Sequence, residues 1–308
     1  MKLSGRAWAA IALVLIAGGA VWLAIWQRNR LHAASPAGML RRLPSENAAV
    51  LFVDFATLRR GGVLKLLSAG KTGEDPDYQA FVRATGFDYQ KDIDLAAVSF
   101  RGDTEYFVVK GRFDWQKLRG YAQSQGGECD RRMCRMPGST PARRISFLAL
   151  DSNLLALAVS ADGSAADRLQ ETPPETVQPL DPPRDPVWLS IPSENLKSPG
   201  QLPPGASFFT AALASADKVL ISLGPEGNRL EARMLVTCRT PEDAAALASQ
   251  LQHATALIRQ MLASGNQKPD GKDLSGVLTA GVFEQSGRRV LGRWPLPEAF
   301  LASLAGGT

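Results

Sequence analysis

Apolar and polar positions divide this chain into one unbroken hydrophobic stretch and a long body in which the two kinds alternate. The stretch is Ala7 to Trp26, AWAAIALVLIAGGAVWLAIW. Its twenty residues, at about 1.5 Å of rise each, predict a helix of about 30 Å, the thickness of a bilayer's hydrocarbon core. Trp8, Trp22 and Trp26 lie towards its ends, where indole rings favour the membrane interface. Lys2 and Arg6 would suit a secretory signal, and Gly18-Gly19-Ala20 would suit its peptidase, but the apolar run continues well beyond that point. We read residues 1–26 as a short cytoplasmic tip and an uncleaved signal-anchor. Residues 27–46 read as a polar juxtamembrane tether, broken by Pro36, Gly38 and Pro44.

The body alternates with the periods of strands and helices. Ala48 to Phe55 predicts a buried strand, followed by short helices over 56–68 and 76–85, the second with Pro76 at its first position. Strands over 94–101 and 104–112 are joined by the tight turn Gly102-Asp103. Asp114 caps a helix running to about Gln125. Strands over 143–150 and 154–160 and a helix over 162–170 complete a first half, 47–170. Residues 171–186, ETPPETVQPLDPPRDP, hold six prolines and exclude regular structure. The second half, 187–308, predicts a strand at 187–191 and a meander at 206–214, 217–223 and 228–238. A long helix follows over 241–264, with a stripe of Leu247, Leu251, Ala254, Ile258 and Met261. A hairpin of 276–283 and 288–294 and a helix from Pro297 to Leu304 end it. Each half runs lone strand, hairpin or meander, helix, hairpin, helix. Gly111-Arg112-Phe113 and Gly292-Arg293-Trp294 both read as strand-to-helix junctions. The expected fold class is α+β: antiparallel sheets with helices on one face, in two weakly related halves, behind one transmembrane helix.

Charge narrows the partners. Residues 27–308 carry 33 bases against 30 acids, too balanced for a nucleic-acid footprint. The bases that cluster, Arg28, Arg30, Arg41 and Arg42, flank the membrane run and suit lipid headgroups. The implied partners are the bilayer, through Ala7 to Trp26, and a protein. A long domain translocates largely regardless of flanking charge, so the expected address is the cytoplasmic membrane with the bulk of the chain outside.

Cys129 and Cys134 sit with four residues between them in GGECDRRMCRMPG. Two short strands around that turn could bridge them, and two free thiols also fit the spacing. The pair lacks the spacing of a zinc or a dithiol redox site, and a bridge would require an oxidising compartment. Cys238 ends a run whose even positions are all apolar, and reads as core.

Catalytic groupings are sparse. His32 lies in the tether, and His253 falls about 120° from the apolar stripe of its helix at about 100° per residue. No G-x-S-x-G elbow is present to meet it. The Gly70-Lys71-Thr72 ending of a phosphate loop lacks its first glycine, with Lys65 in that place. No cofactor or metal is implied. The acids that could carry general acid–base chemistry are Asp54, at the end of an apolar strand, and Asp92 with Asp94, which share a side if extended. Their ordinary roles are a helix cap and hydrated loop acids. Trp115 and Trp294 stand near strand ends and suit sealing of core edges.

The opening Leu43-Pro44-Ser45-Glu46-Asn47-Ala48-Ala49-Val50-Leu51-Phe52-Val53-Asp54 with Leu58-Arg59, then Thr85-Gly86-Phe87-Asp88 and Gly111-Arg112-Phe113-Asp114, resembles uncharacterised bacterial envelope proteins. In these an anchor or signal precedes a repeated α+β body, and the likeness extends over residues 43–160. It implies an exported, anchored body and lends no catalytic residue. A non-enzymatic binding or scaffolding role is therefore the leading expectation. A membrane-tethered hydrolase using Asp54, Asp92 and Asp94 is the alternative.

Overall fold

In a computed structural model, the described residues are 34–64, 76–171, 182–197, 213, 216–227 and 229–306. Residues 7–26 lie outside them, as do the strand expected over 206–214, except Leu213, and most of the proline-rich stretch. No helix among the described residues is long and apolar enough to cross a membrane.

Among the described residues, twelve strands form one antiparallel sheet. They are β1 (Ala49–Asp54), β2 (Ile93–Arg101), β3 (Thr104–Gly111), β4 (Glu128–Cys129), β5 (Met133–Pro137), β6 (Arg144–Asp151) and β7 (Leu154–Ser160). After the proline-rich stretch come β8 (Val187–Pro192), β9 (Ala216–Glu226), β10 (Arg229–Cys238), β11 (Val282–Ser286) and β12 (Arg289–Leu296). Their spatial order is β11-β12-β10-β9-β8-β1-β2-β3-β7-β6-β5-β4. Outward from the centre, β8-β9-β10-β12-β11 repeats the connectivity of β1-β2-β3-β7-β6, and the two wings meet through the antiparallel pair β1–β8. The pair β4–β5 is an addition to the first wing.

Helices lie against both faces of the first wing, not one. Side chains alternate across a strand, so neighbours on β7 separate the layers. Leu154, Ala156 and Ala158 join Val50, Phe52, Ala97 and Val108 in a core closed by Met39, Leu40 and Leu43. Those three belong to, or directly follow, α1 (Pro36–Arg42), where a continuation of the tether was expected. The helix forms because Ser35 caps it, accepting a hydrogen bond from the Gly38 amide, and Pro36 opens it with a preset φ. A 3-10 turn over Ala165–Leu169, where a longer helix was expected, seals the same layer. Arg42 ties the two together by donating to the carbonyls of Leu169 and Gln170.

On the opposite face, Leu155 and Leu157 pack with Cys134 and Phe147 beneath Leu118 and Ala122. The latter two lie on α5 (Trp115–Ser124), capped by Asp114 as the sequence predicts. Between α1 and α5 the chain forms α2 (Phe55–Arg60), α3 (Pro76–Thr85) and α4 (Tyr89–Asp92). The segment expected to be helical over 56–68 stops its first helix early, because Gly61-Gly62 follows and Gly62 takes a φ of +72° that side chains resist.

The second wing is covered on that same face by α7 (Pro241–Ser264), after a short α6 (Ser193–Lys197). Its buried side chains are Ala244, Leu247, Ala248 and Thr255, with Leu251 partly buried against the core. Two members of the expected stripe, Ala254 and Met261, are exposed: the helix is rotated so that small residues meet the sheet. Residues expected to start a strand at 276 instead form α8 (Leu274–Thr279), because Asp273 accepts hydrogen bonds from the Ser275 and Gly276 amides. The chain closes with α9 (Glu298–Gly306). Gly292-Arg293-Trp294 lies in the middle of β12 and opens no helix, so its likeness to Gly111-Arg112-Phe113 marks no shared junction. Cys238 is fully buried, as its strand pattern predicts.

Candidate functional site

Cys129 and Cys134 form a disulfide. They face each other as register partners across β4 and β5, which places the two Cα atoms 4.0 Å apart. Asp130 shapes the intervening turn by accepting hydrogen bonds from the Arg132 and Met133 amides at 2.7 and 2.8 Å. Those amides, with the Arg135 guanidinium, hold its carboxyl down at about 2.

The three carboxylates suited to acid–base work do not converge. Asp54 caps α2, its oxygens accepting from the Thr57 amide at 2.7 Å and the Thr57 hydroxyl at 2.8 Å. It also lines a small cavity of about 280 Å³ with Phe52, Trp188 and Pro182 to Pro186. Asp92 ends α4 and is not extended, so the two-residue alternation with Asp94 is broken. Its carboxylate accepts from the Asp88 amide at 2.9 Å and pairs with Arg112 at 3.0 Å. Asp94 instead pairs with Arg59 at 3.5 Å. His253 is exposed, on the side its helical position predicts.

A larger cleft, of about 530 Å³, opens where α4, the end of β3 and the start of α5 meet. Next to the lining residue Arg112, Gly111 approaches the Asp92 carbonyl so closely that an added Cβ would stand 2.3 Å from that oxygen. Phe87 and Phe113 stack at 5.5 Å with their planes 15° apart, and Phe113 meets Trp115 at 5.2 Å. The Trp115 indole is held by its Nε1–H donating to the Ser152 carbonyl at 3.0 Å. The row continues through Phe81, which meets Phe87 at 6.0 Å and Tyr121 at 5.0 Å.

The polar groups of the cleft are paired. Arg112 lies over Asp92, with its own side chain 67% exposed against 18% for the acid. Asp114 and Lys117 stand 3.7 Å apart, and the Lys117 amine reaches over Gly86. Beneath the cleft, Asp88 caps α4 and so fixes Asp92. Burial pulls the Asp88 carboxyl upward, but bonds from Lys91, the Gln90 amide and Tyr78 outweigh it and hold the group below its ordinary range. Burial and the same carboxylate push the Tyr78 hydroxyl up to about 12.

Sequence reading assigned Trp115 to a core edge and did not assemble this cleft. The usable signal is the closeness of aromatic residues to two glycines at element ends, at Gly86-Phe87 and Gly111-Arg112-Phe113-Asp114-Trp115. Trp294 does pack in the core, against Phe283 at 5.3 Å.

A second feature lies on α7 and α8, which touch. Leu257 and Met261 on α7, and Leu274 and Leu278 on α8, are 43, 63, 61 and 37% exposed. They are four of the six exposed large apolar side chains among the described residues. Each pair is one turn apart on its helix.

No metal-holding group of His, Cys, Asp and Glu occurs among the described residues. No family model matches the chain, and no curated protein sequence matches it. The chain is similar to solved structures of TP0453. Crystal form III matches with a TM-score of 0.46 at 12% identity, covering 86% of this chain and 96% of that one. Crystal form I matches with a TM-score of 0.45 at 12% identity, covering 87% and 96%.

Proposed function

We propose that the chain is a single-pass protein of the cytoplasmic membrane, its bulk extracytoplasmic, with a non-enzymatic binding or scaffolding role in the bacterial cell envelope. The observation that carries the reading is the pair of large apolar side chains Leu257 and Met261, exposed one turn apart on α7, with Leu274 and Leu278 likewise exposed one turn apart on α8. Apolar side chains gathered in this way on a polar body mark a surface that meets another protein. The anchor over Ala7 to Trp26 supports the address, and the Cys129–Cys134 bridge supports an oxidising compartment. The hydrolase alternative loses support because Asp54, Asp92 and Asp94 serve a cap and two separate ion pairs. The matching strand order on either side of β1–β8 supports our reading of the two wings as related halves.

Two experiments test the proposal in cells. A photoreactive amino acid at Met261 should give a discrete protein adduct that the same group at polar, exposed Gln260 does not give. Equal labelling from both positions would remove the binding surface. External protease added to spheroplasts should digest residues 27–308; full protection would place the body on the other side of the membrane.

A further inference from the structure

We propose that the cleft at Phe113 and Trp115 binds the uncharged sugar rings of a glycan. Its volume, about 530 Å³, suits a ligand of two or three rings. Its chemistry narrows the class by elimination. An anionic ligand needs unpaired cations, yet Arg112 is matched by Asp92 at 3.0 Å and Lys117 by Asp114 at 3.7 Å. A cationic ligand needs unpaired acids, and the same pairs deny it those. What remains is a neutral ligand with both apolar and hydrogen-bonding surfaces.

Sugar rings have that division. Their axial C–H bonds carry slight positive charge and fit the negative face of an aromatic ring, while their hydroxyls point outward in the ring plane. Here the aromatic surfaces are fixed in advance. Phe113 is stacked on Phe87, and the Trp115 indole is held by Ser152, so little rotamer freedom is lost on binding. At the rim stand a planar guanidinium and a planar carboxylate, Arg112 and Asp92. Arg112 gives Nε and Nη2 to Asp92 Oδ1 and the Lys91 carbonyl, which leaves the Nη1 donors of this largely exposed side chain for a sugar hydroxyl. Phe113 and Trp115, with centroids 5.2 Å apart, give the cleft adjoining aromatic surfaces for more than one ring.

The test uses the full-length protein in nanodiscs, titrated with triacetylchitotriose and with cellotriose and read by calorimetry and tryptophan fluorescence. A small open site of this kind should bind with a Kd of about 1 mM, little altered by salt because no net charge is matched. Trp115→Ala should weaken binding at least tenfold. Arg112→Gln, at a largely exposed side chain, should weaken it several-fold. Circular dichroism of both variants separates lost binding from lost folding. Absence of saturable binding to either sugar up to about 20 mM would overturn the proposal. So would binding that both folded variants retain. Saturation by decaproline or by a nucleotide, with no response to either sugar, would overturn it in favour of a peptide or nucleotide site.

Discussion

In the wing β1–β7, helical segments press on both faces of the sheet; in the wing β8–β12 they press on one. The first wing buries Met39 and Leu40 against one face and Ala122 against the other. The second buries Leu247 and Ala248 against one face, and its opposite face carries Lys218, Ser222, Arg233, Thr237 and Arg293 about a row of Leu220, Leu235 and Leu291 across β9, β10 and β12. The order of strands is the same in both. The difference comes from chain outside the shared pattern: α1 precedes β1 and covers the first wing, and no described helix does so for the second. On that face, where no described helix lies, charge pairs hold one strand. Arg233 is 22% exposed and pairs with Asp185 at 2.9 Å, Glu231 at 2.8 Å and Glu226 at 2.5 Å, which ties the end of the proline-rich stretch to β10. Strand order therefore does not dictate where the core lies. The added helices do.

The comparison breaks first in the cores. Leu247→Ala in the second wing and Met39→Ala in the first should each cost about 2–5 kcal/mol in urea unfolding, since both side chains are almost fully buried. A negligible loss for Met39→Ala would return α1 to the status of a loose tether. Replacing Arg233 by Ala should cost about 3 kcal/mol, because three acids lose one shared cation in a partly buried setting. An unchanged urea midpoint would show that the charged face contributes nothing to the second wing.

Next in size is the addition unique to the first wing. Converting Cys129 and Cys134 to Ser should lower stability by about 2 kcal/mol, the chain-entropy value for so short a loop. Mass spectrometry of the unreduced peptide should read two hydrogens lighter than its reduced form. The same hairpin should respond to acid. The Asp130 carboxyl is depressed to about 2 in the folded chain, so its bonds contribute fully above the ordinary carboxylate pKa and are lost as pH falls from about 4 towards 2. Amide exchange at Arg132 and Met133 should quicken over that window, and Asp130→Asn should remove the pH dependence.

The smallest expected change in stability belongs to the exposed helices of the second wing. Leu257→Ser and Met261→Ser should alter it by no more than about 0.5 kcal/mol, since neither side chain supports the core. They should nevertheless abolish the protein adduct formed from that surface. A large loss of stability with the adduct intact would reverse the assignment.

Local signals in the sequence were read well where one residue type governs one geometry. Asp114 caps α5, Gly102-Asp103 turns β2 into β3, and Cys238 faces inward on β10. They failed where two local rules compete. Pro36 and Gly38 read as breakers, yet Ser35 and Pro36 together start a helix whose apolar side then has a sheet to meet. Residues 276–283 carry β-forming apolar side chains, but the Asp273 cap commits 274–279 to helix. On α7 the apolar residues exceed one stripe, so periodicity alone could not tell which side faces the sheet. The small Ala244 and Ala248 fit against it and Met261 does not.

What the sequence determined by itself was short in range: the apolar run Ala7–Trp26, the alternation of most strands, the caps, and two cysteines close enough to bridge. Each follows from one residue or one period, without reference to distant chain. Tertiary structure decided the rest. The pairing of β1 with β8 joins the two wings into one sheet, and the side of that sheet on which each helix lands sets the two cores. The cleft brings Phe87, Asp92, Phe113 and Trp115 together because Gly111 lets β3 pass against α4, a contact between segments about twenty residues apart. Such contacts depend on which surfaces meet after folding, and hydrophobic pattern records only that a surface is apolar, not what it will meet.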